Sequence, residues 1–448
     1  MRILILLFSF VVATSLAQSE VDLKLQAIAK ATSPERLAND IETLANFGTR
    51  HTLSDTISET RGIGAARRWI KSEFEQISQD CNNCLEVSYN SDIVKADGRR
   101  IVFDTKVVNV VAIQRGTKYP NKYVIMSGDI DSRVSDPNNY TSDSPGANDN
   151  ASGMAGALEA ARILSKYEFP VSVVYVGLSG EEQGLYGGKI LAAHAKANNW
   201  DIIGVLNNDM IGNIHGIDGV IDNSTFRVFS EAISMEATDR DKRLMRFYGG
   251  EVDGPSRQLA RYIDKLTDAY MENLDAIMIY RLDRFGRGGH HRPFNDEGFA
   301  GVRIMETHEN YNRQHQDIRT ENGIDYGDVL SGVNFDYAAK LTAVNCITLA
   351  GLAWAPEAPA NVQIGGAVQP STRLKWDKSD DSDIVGYKVY WRATTSAQWE
   401  YSTFVGNVQE YTLENIVIDN YLFGIAAVGK NGAESLVSFP YALIPRGE

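Results

Sequence analysis

Val171-Ser172-Val173-Val174-Tyr175-Val176-Gly177-Leu178-Ser179-Gly180-Glu181-Glu182-Gln183-Gly184 is the stretch on which the reading of this chain turns. Its first eight residues, 171–178, are apolar almost without interruption, which is the pattern of a strand buried on both faces in a parallel sheet. Two glutamates follow at once. Adjacent side chains at the end of such a strand point in different directions, so one carboxylate can hold a cation while the other takes a proton from water bound beside it. A solvated acidic turn leading into a helix gives the same local pattern, because Glu is favoured in a first helical turn. The surrounding sequence has to decide between the two.

Outward from this strand, apolar runs and amphipathic stretches alternate. Residues 106–114, 122–127 and 202–207 read as strands, and residues 154–167 and 186–198 as helices. That alternation predicts an α/β domain with a mostly parallel sheet and helices on both faces, which binds ligands beyond the carboxyl ends of its strands. Residues 21–76 carry helical periodicity, and Leu341 to Ala350 reads as a terminal helix with Cys346 as a buried free thiol. Near Trp354-Ala355-Pro356-Glu357-Ala358-Pro359 the composition changes to that of a short stiff linker. Beyond it, residues 372–376, 386–391, 399–404, 410–413, 421–428 and 436–439 alternate like strands of an all-β sandwich. The expected division is 1–17 signal peptide, 18–352 main domain, 353–359 linker and 360–448 β-sandwich.

Residues 1–17 justify the first of these boundaries. One positive charge at Arg2, an apolar run and small residues up to Ala17 describe a secretory leader, so the expected location is secreted or periplasmic. No later stretch is long and apolar enough to suggest a membrane span. A net charge of −14 argues against nucleic acid or an anionic membrane as partner. Among three cysteines, Cys81 and Cys84 form Cys-Asn-Asn-Cys. In an exported chain without a second pair this is read as a local disulfide, the alternatives being half a zinc site or a redox pair.

Polar clusters fall at the ends of the predicted strands and in loops. They are Gly128-Asp129-Ile130-Asp131-Ser132, Pro145-Gly146-Ala147-Asn148-Asp149-Asn150, Glu181-Glu182, Asn207-Asn208-Asp209 and Gln314-His315-Gln316-Asp317. Singly, an Asp after a strand is usually a cap or turn former. In this order and with these glycines, the set over residues 36–350 resembles the di-zinc aminopeptidases of metallopeptidase family twenty-eight, which also include glutaminyl cyclases and inactive receptor ectodomains. The resemblance implies two Zn²⁺ ions about 3.5 Å apart. Asp149 would bridge them, Glu182 and His315 would complete one shell, and Asp209 would serve the other. Glu181 would be the general base for a metal-bridged hydroxide that attacks a peptide substrate. Trp376, the 386–391 segment and the 421–428 segment resemble a fibronectin type III module, which would either bind a polymer or surface or serve only folding and secretion.

Two departures from the family pattern matter. Asp129 stands where the family has its first histidine ligand, so the ion held by Asp129 and Asp209 is expected to be the weaker one, or replaced by Mn²⁺ or Mg²⁺. Asp131, which would normally orient that histidine, becomes a like-charge neighbour. Gln314 stands where a tyrosine is common. His290 and His291 match a loop lining the approach to the centre, with substrate contact or plain surface exposure as the two readings, and His51 is read as structural. The expected activity is therefore that of an exported metallo-aminopeptidase. The rivals are a one-zinc acyltransferase of the glutaminyl cyclase kind, using Asp149, Glu182 and His315 alone, and a binding protein that has kept the scaffold without the activity.

Overall fold

The computed structural model describes residues 19–445, so the leader expected over residues 1–17 lies outside the described residues. The chain opens with helices α1 (Glu20–Ala29), α2 (Pro34–Ala45) and α3 (Gly62–Asp80). Ser19 and Asp22 cap α1 reciprocally, and Ser33 with Pro34 starts α2. Cys81, just past α3, is joined to Cys84. Strands β1 (Leu85–Val94), β2 (Thr105–Gln114) and β3 (Tyr119–Asp129) follow, then α4 (Gly153–Leu164), β4 (Val171–Leu178), α5 (Tyr186–Ala197) and β5 (Asp201–Asn208). The next elements are β6 (Thr225–Ser230), α6 (Asp239–Tyr248), α7 (Pro255–Tyr270), β7 (Asp275–Ile279), α8 (His291–Asp296) and β8 (Gly301–Glu306). A small hairpin of β9 (Arg319–Glu321) and β10 (Ile324–Tyr326) precedes the long helix α9 (Phe335–Trp354).

β1 to β8 form one sheet in the order β1-β2-β4-β3-β5-β8-β6-β7. Its centre, β4-β3-β5-β8, is parallel throughout, while β1, β2 and β6 enter antiparallel. Every residue of β4 is buried, as its continuous apolar run requires. One face carries the core built on α1 to α4 and α9, and the other a smaller core in which Leu191, Ala192 and Ala195 of α5 meet Phe294 of α8. The carboxyl ends of β3, β4 and β5 therefore open on the same edge. At that edge β3 passes so close to the start of α4 that a Cβ on Gly128 would come within 2.4 Å of Gly153 backbone, so only glycine fits there.

α9 runs on to Trp354, two residues into the stretch read as linker, because the Trp354 indole donates to Glu168 O and packs on Phe169 at 4.9 Å. Beyond it lie β11 (Gln363–Gly365), β12 (Thr372–Lys375), β13 (Ile384–Ala393), β14 (Tyr401–Gly406), β15 (Glu410–Leu413), β16 (Tyr421–Gly429) and β17 (Ala442–Leu443). They form two small sheets, β15-β12-β11-β17 and β14-β13-β16, which share one apolar cluster including Leu374, Trp376, Tyr387, Val389, Phe423 and Ile425. Residues 436–439, expected as a strand, make only an isolated bridge through Ser438 to Ile425, and the last strand forms beyond Pro440. Leu436 turns instead toward the main core.

The C-terminal sheets are bound to the α/β body through buried charge. Asp253, just before α7, accepts from Arg261 Nη1 at 2.8 Å, from Gln258 Nε2 at 2.9 Å and from Arg392 Nη2 of β13 at 2.7 Å. At the rim of this seam, Lys118 pairs with Asp381 at 2.7 Å and Asp383 at 2.8 Å. Among the described residues, no helix is long and apolar enough to cross a membrane.

Candidate active site

Three of the acidic and imidazole groups singled out in the sequence meet at one point. His315 Nε2 lies 2.9 Å from Asp149 Oδ2 and 2.8 Å from Glu182 Oε1. One ligand atom from each of the three residues lies within 4.8 Å of the others. Zinc bonds of about 2.0–2.2 Å need ligand atoms roughly 3–4 Å apart, so this trio can close on one cation with small adjustments and leave a position open.

Each member is fixed by its local backbone. The amides of Asn148 and Asp149 donate to the two oxygens of Asp328 at 2.9 and 2.7 Å, which orients the Asp149 loop. Asp131 accepts from the amides of Gly180, Glu181 and Glu182 at 2.8, 3.1 and 3.1 Å. With no imidazole to orient, Asp131 instead holds the turn that presents the glutamate pair. His315 sits in left-handed backbone (φ 53°), a conformation that costs a non-glycine residue on the order of 1 kcal/mol and points to a constrained position. Arg133 lies against two ligands, with Nε donating to Glu182 Oε2 at 2.7 Å and Nη2 2.6 Å from His315 Nδ1.

The electrostatics follow from these contacts. Burial disfavours ionisation of Asp149 and Glu182, but the His315 ring between them outweighs it and holds both below the usual carboxylate range. The same two carboxylates outweigh burial at His315 and push its pKa up to about 9. The proton on Nε2 thus lies where the three groups converge. Glu181 is different. The residue keeps some exposure, its carboxylate has no hydrogen-bond partner among the described residues, and burial of that carboxylate together with the charge of Glu182 raises its pKa well above normal. A cation beside it would favour its charged form.

Asp129 and Asp209 do not join the trio. Asp129 has both oxygens engaged, Oδ1 with His290 Nδ1 at 2.6 Å and Oδ2 with Asn150 Nδ2 at 2.7 Å. Asp209 Oδ2 lies 2.8 Å from Arg303 Nη2, although without the alignment of a hydrogen bond, and its Oδ1 has no partner. Burial raises both carboxyls well above their usual range. Among the described residues, no second group of three ligands forms at this centre. The donor set thus fits one metal ion at Asp149, Glu182 and His315, and it does not fit a second at Asp129 and Asp209.

His290 and His291 fit neither reading made from the sequence. Both are fully buried. His290 engages Asp129, and His291 Nε2 contacts Leu282 O at 2.7 Å. His51 is buried against Pro137 O and Gln183, in keeping with a structural role. Gln314 reaches the centre, with Nε2 3.3 Å from Asp149 Oδ2, whereas Tyr311, the tyrosine nearest to it in sequence, is exposed. The sequence gives no role to Arg133 or Arg303, and it places Asn150 in a polar cluster without marking it as the partner of Asp129. A signal for Arg303 was present, since it is a lone charge within the apolar run Val302-Arg303-Ile304-Met305.

Comparisons with known proteins bear on this geometry. Residues 109–330 match the profile of Peptidase family M28. A protein of Pyrenophora teres f. teres described as a probable zinc metalloprotease is 41% identical over 434 residues, covering 96% of this chain and 89% of its own. One from Leptosphaeria maculans with the same description is 41% identical over 421 residues, covering 93% of this chain and 97% of its own. Among solved structures, the Legionella pneumophila LapA aminopeptidase matches with a TM-score of 0.53 at 19% identity, over 75% of this chain and 76% of that one. An aminopeptidase from Aneurinibacillus sp. strain AM-1 matches with a TM-score of 0.50 at 13% identity, over 74% of this chain and 97% of that one. The two structures speak to the fold alone. The sequence relatives are alike over nearly the whole length, the C-terminal sheets included, and the profile spans every strand end that feeds the centre, so the chain belongs to peptidase family M28.

Proposed function

We propose that this protein is an exported zinc-dependent exopeptidase, acting as an aminopeptidase on the N-terminal residues of peptides. The observation that carries the reading is the free Glu181 carboxylate, next in the chain to Glu182 in a trio shaped for one cation. When bound, the ion would act as a Lewis acid, polarising the scissile carbonyl and acidifying a nearby water. Asp149, Glu182 and His315 would hold the ion. Glu181 takes a proton on its carboxylate and returns it to the leaving amine, a role for which a raised pKa and a missing hydrogen-bond partner suit it. Asp131 and Asp328 keep the two loops in place through backbone amides. The description of the Pyrenophora and Leptosphaeria relatives as probable zinc metalloproteases supports the choice of zinc and of peptide hydrolysis. The Cys81–Cys84 link supports an oxidising, extracytoplasmic setting. The two C-terminal sheets are read as a fibronectin type III-like sandwich.

The test is leucine release from a leucyl anilide by chelator-stripped protein to which Zn²⁺ or Mn²⁺ is returned. Metal-dependent release is expected, and silence with both ions would overturn the aminopeptidase reading. A second reading, acyl transfer of the glutaminyl cyclase kind, is favoured by the single trio. Cyclised rather than hydrolysed product from an N-terminal glutaminyl peptide would select it.

A further inference from the structure

The family resemblance implies two positive charges at the strand ends, and the trio accounts for one of them. What stands at the other place is an arginine. Arg303 on β8 is paired in register with Asn207 of β5, two residues before Asp209, so its side chain rises beside the carboxyl end of β5. It is fully buried. Nη2 lies 2.8 Å from Asp209 Oδ2, while Nη1 lies 3.1 Å from Asp283 Oδ1 and donates to Gly288 O at 3.0 Å. Asp283 and the Gly288 carbonyl therefore hold the guanidinium from behind while it faces Asp209. A guanidinium is charged at every accessible pH.

Asp129 is the remaining member of the expected second set. Its oxygens are taken by His290 and Asn150. His290 itself is committed through Nδ1, and its buried Nε2 has no partner. Of the two carboxylates expected to hold the second ion, Asp209 alone keeps an oxygen without a partner, Oδ1, and a single oxygen cannot hold an ion. A divalent ion at Asp209 would also lie against a guanidinium that has no route out, and like charges in a buried site repel strongly.

We propose that Arg303 replaces the second metal ion of the fold: the protein carries one metal position, at Asp149, Glu182 and His315, and supplies the other positive charge as a fixed guanidinium paired with Asp209. The inference rests on reading the trio as a metal centre. Arg303 is a positioning residue in this scheme and acts through Asp209. The charge it supplies is permanent, whereas an ion's charge depends on supply and can be lost to a chelator.

The test is a count of metal per chain. Full-length protein, stripped with chelator and equilibrated with excess Zn²⁺, is measured by mass spectrometry after desalting and, in parallel, titrated at equilibrium by calorimetry. One equivalent is expected in the unaltered protein, in Asp129→Asn and in Asp209→Asn, with circular dichroism confirming that each is folded. Asp129→Asn leaves the Arg303 pairing untouched and so keeps the test decisive if Asp209→Asn fails to fold. Two equivalents in the unaltered protein, falling to one in either variant, would overturn the proposal, as would a weaker second equivalent in the titration that either variant abolishes. Zero equivalents would instead refute the metal centre on which both readings stand.

Discussion

At the seam between the α/β body and the C-terminal sheets, Asp253 is buried with both oxygens met by Arg261, Gln258 and Arg392. At the strand ends, Asp129, Asp149, Glu181, Glu182 and Asp209 crowd together with fewer cationic partners, and Glu181 has none in hydrogen-bonding reach. Both regions bury acid beside arginine, yet the outcomes differ. Where donors match acceptors, the cluster acts as a rivet, and breaking it exposes a buried charge. Where acid exceeds base, the surplus raises carboxyl pKa values and leaves a place that a cation completes. The seam thus bears on stability and the strand ends on chemistry, and variants can separate the two.

The largest expected effect is at the strand ends. On the proposed mechanism, Glu181→Gln lowers kcat by roughly 10²–10⁴-fold. Metal content should stay unchanged, and the unfolding midpoint should hold or rise, because the amide removes a charge that burial and Glu182 both oppose. A variant that keeps its rate would break the contrast. Next comes the seam. Asp253→Asn leaves two buried guanidiniums short of their counter-charge and should cost about 3–5 kcal/mol in denaturant unfolding. The activity per folded molecule should not move. A loss of activity without loss of stability would mean that the seam and the strand ends are coupled.

A smaller, pH-dependent effect sharpens the comparison within the seam. Asp264 on α7 lies beside this interface, near Gln398, and burial followed by the nearby Asp268 and Asp275 raises its pKa to about 7. Because the folded value exceeds the ordinary 3.8, its contribution to stability is complete below about pH 4 and is lost as pH rises through about 7. Asp264→Asn should flatten that part of the stability profile, measured as unfolding midpoint against pH, and an unchanged slope would refute the assignment. The smallest effect belongs to the rim. Lys118→Ala removes exposed ion pairs to Asp381 and Asp383 and should change stability by about 0–1 kcal/mol, less at high salt.

The same contrast shows what the sequence could tell. β4 was read with the bounds it has in the structure, because a fully buried strand is apolar along its whole length. The flanking strands β2, β3 and β5 and the helices α4 and α5 were legible for related reasons. β6, β7 and β8 were not read. They are short, and β6 and β8 carry Arg227 and Arg303, whose charges interrupt the apolar pattern and whose partners are distant in sequence. Missing β8 meant missing Arg303. The acidic and histidine members of the centre announced themselves by residue type and neighbouring glycines. Their pairings did not, since nothing local in Asp129 or His290 tells that the two side chains meet across the fold. The buried seam around Asp253 was equally silent, because its arginines come from α7 and β13.

Asp149 opens the way into α4, Glu182 follows β4, and His315 arrives only after β8, with α9 still to come and close over the face that carries α1, α2 and α4. A growing chain therefore holds two of the three ligands long before the third exists. Metal cannot template the early sheet, and a half-made chain has only a loose carboxylate pair to offer a stray ion. On the proposed reading of the trio as a metal centre, order of synthesis would delay capture until the sheet is nearly complete, and uptake of the ion would report that the last part of the body has folded.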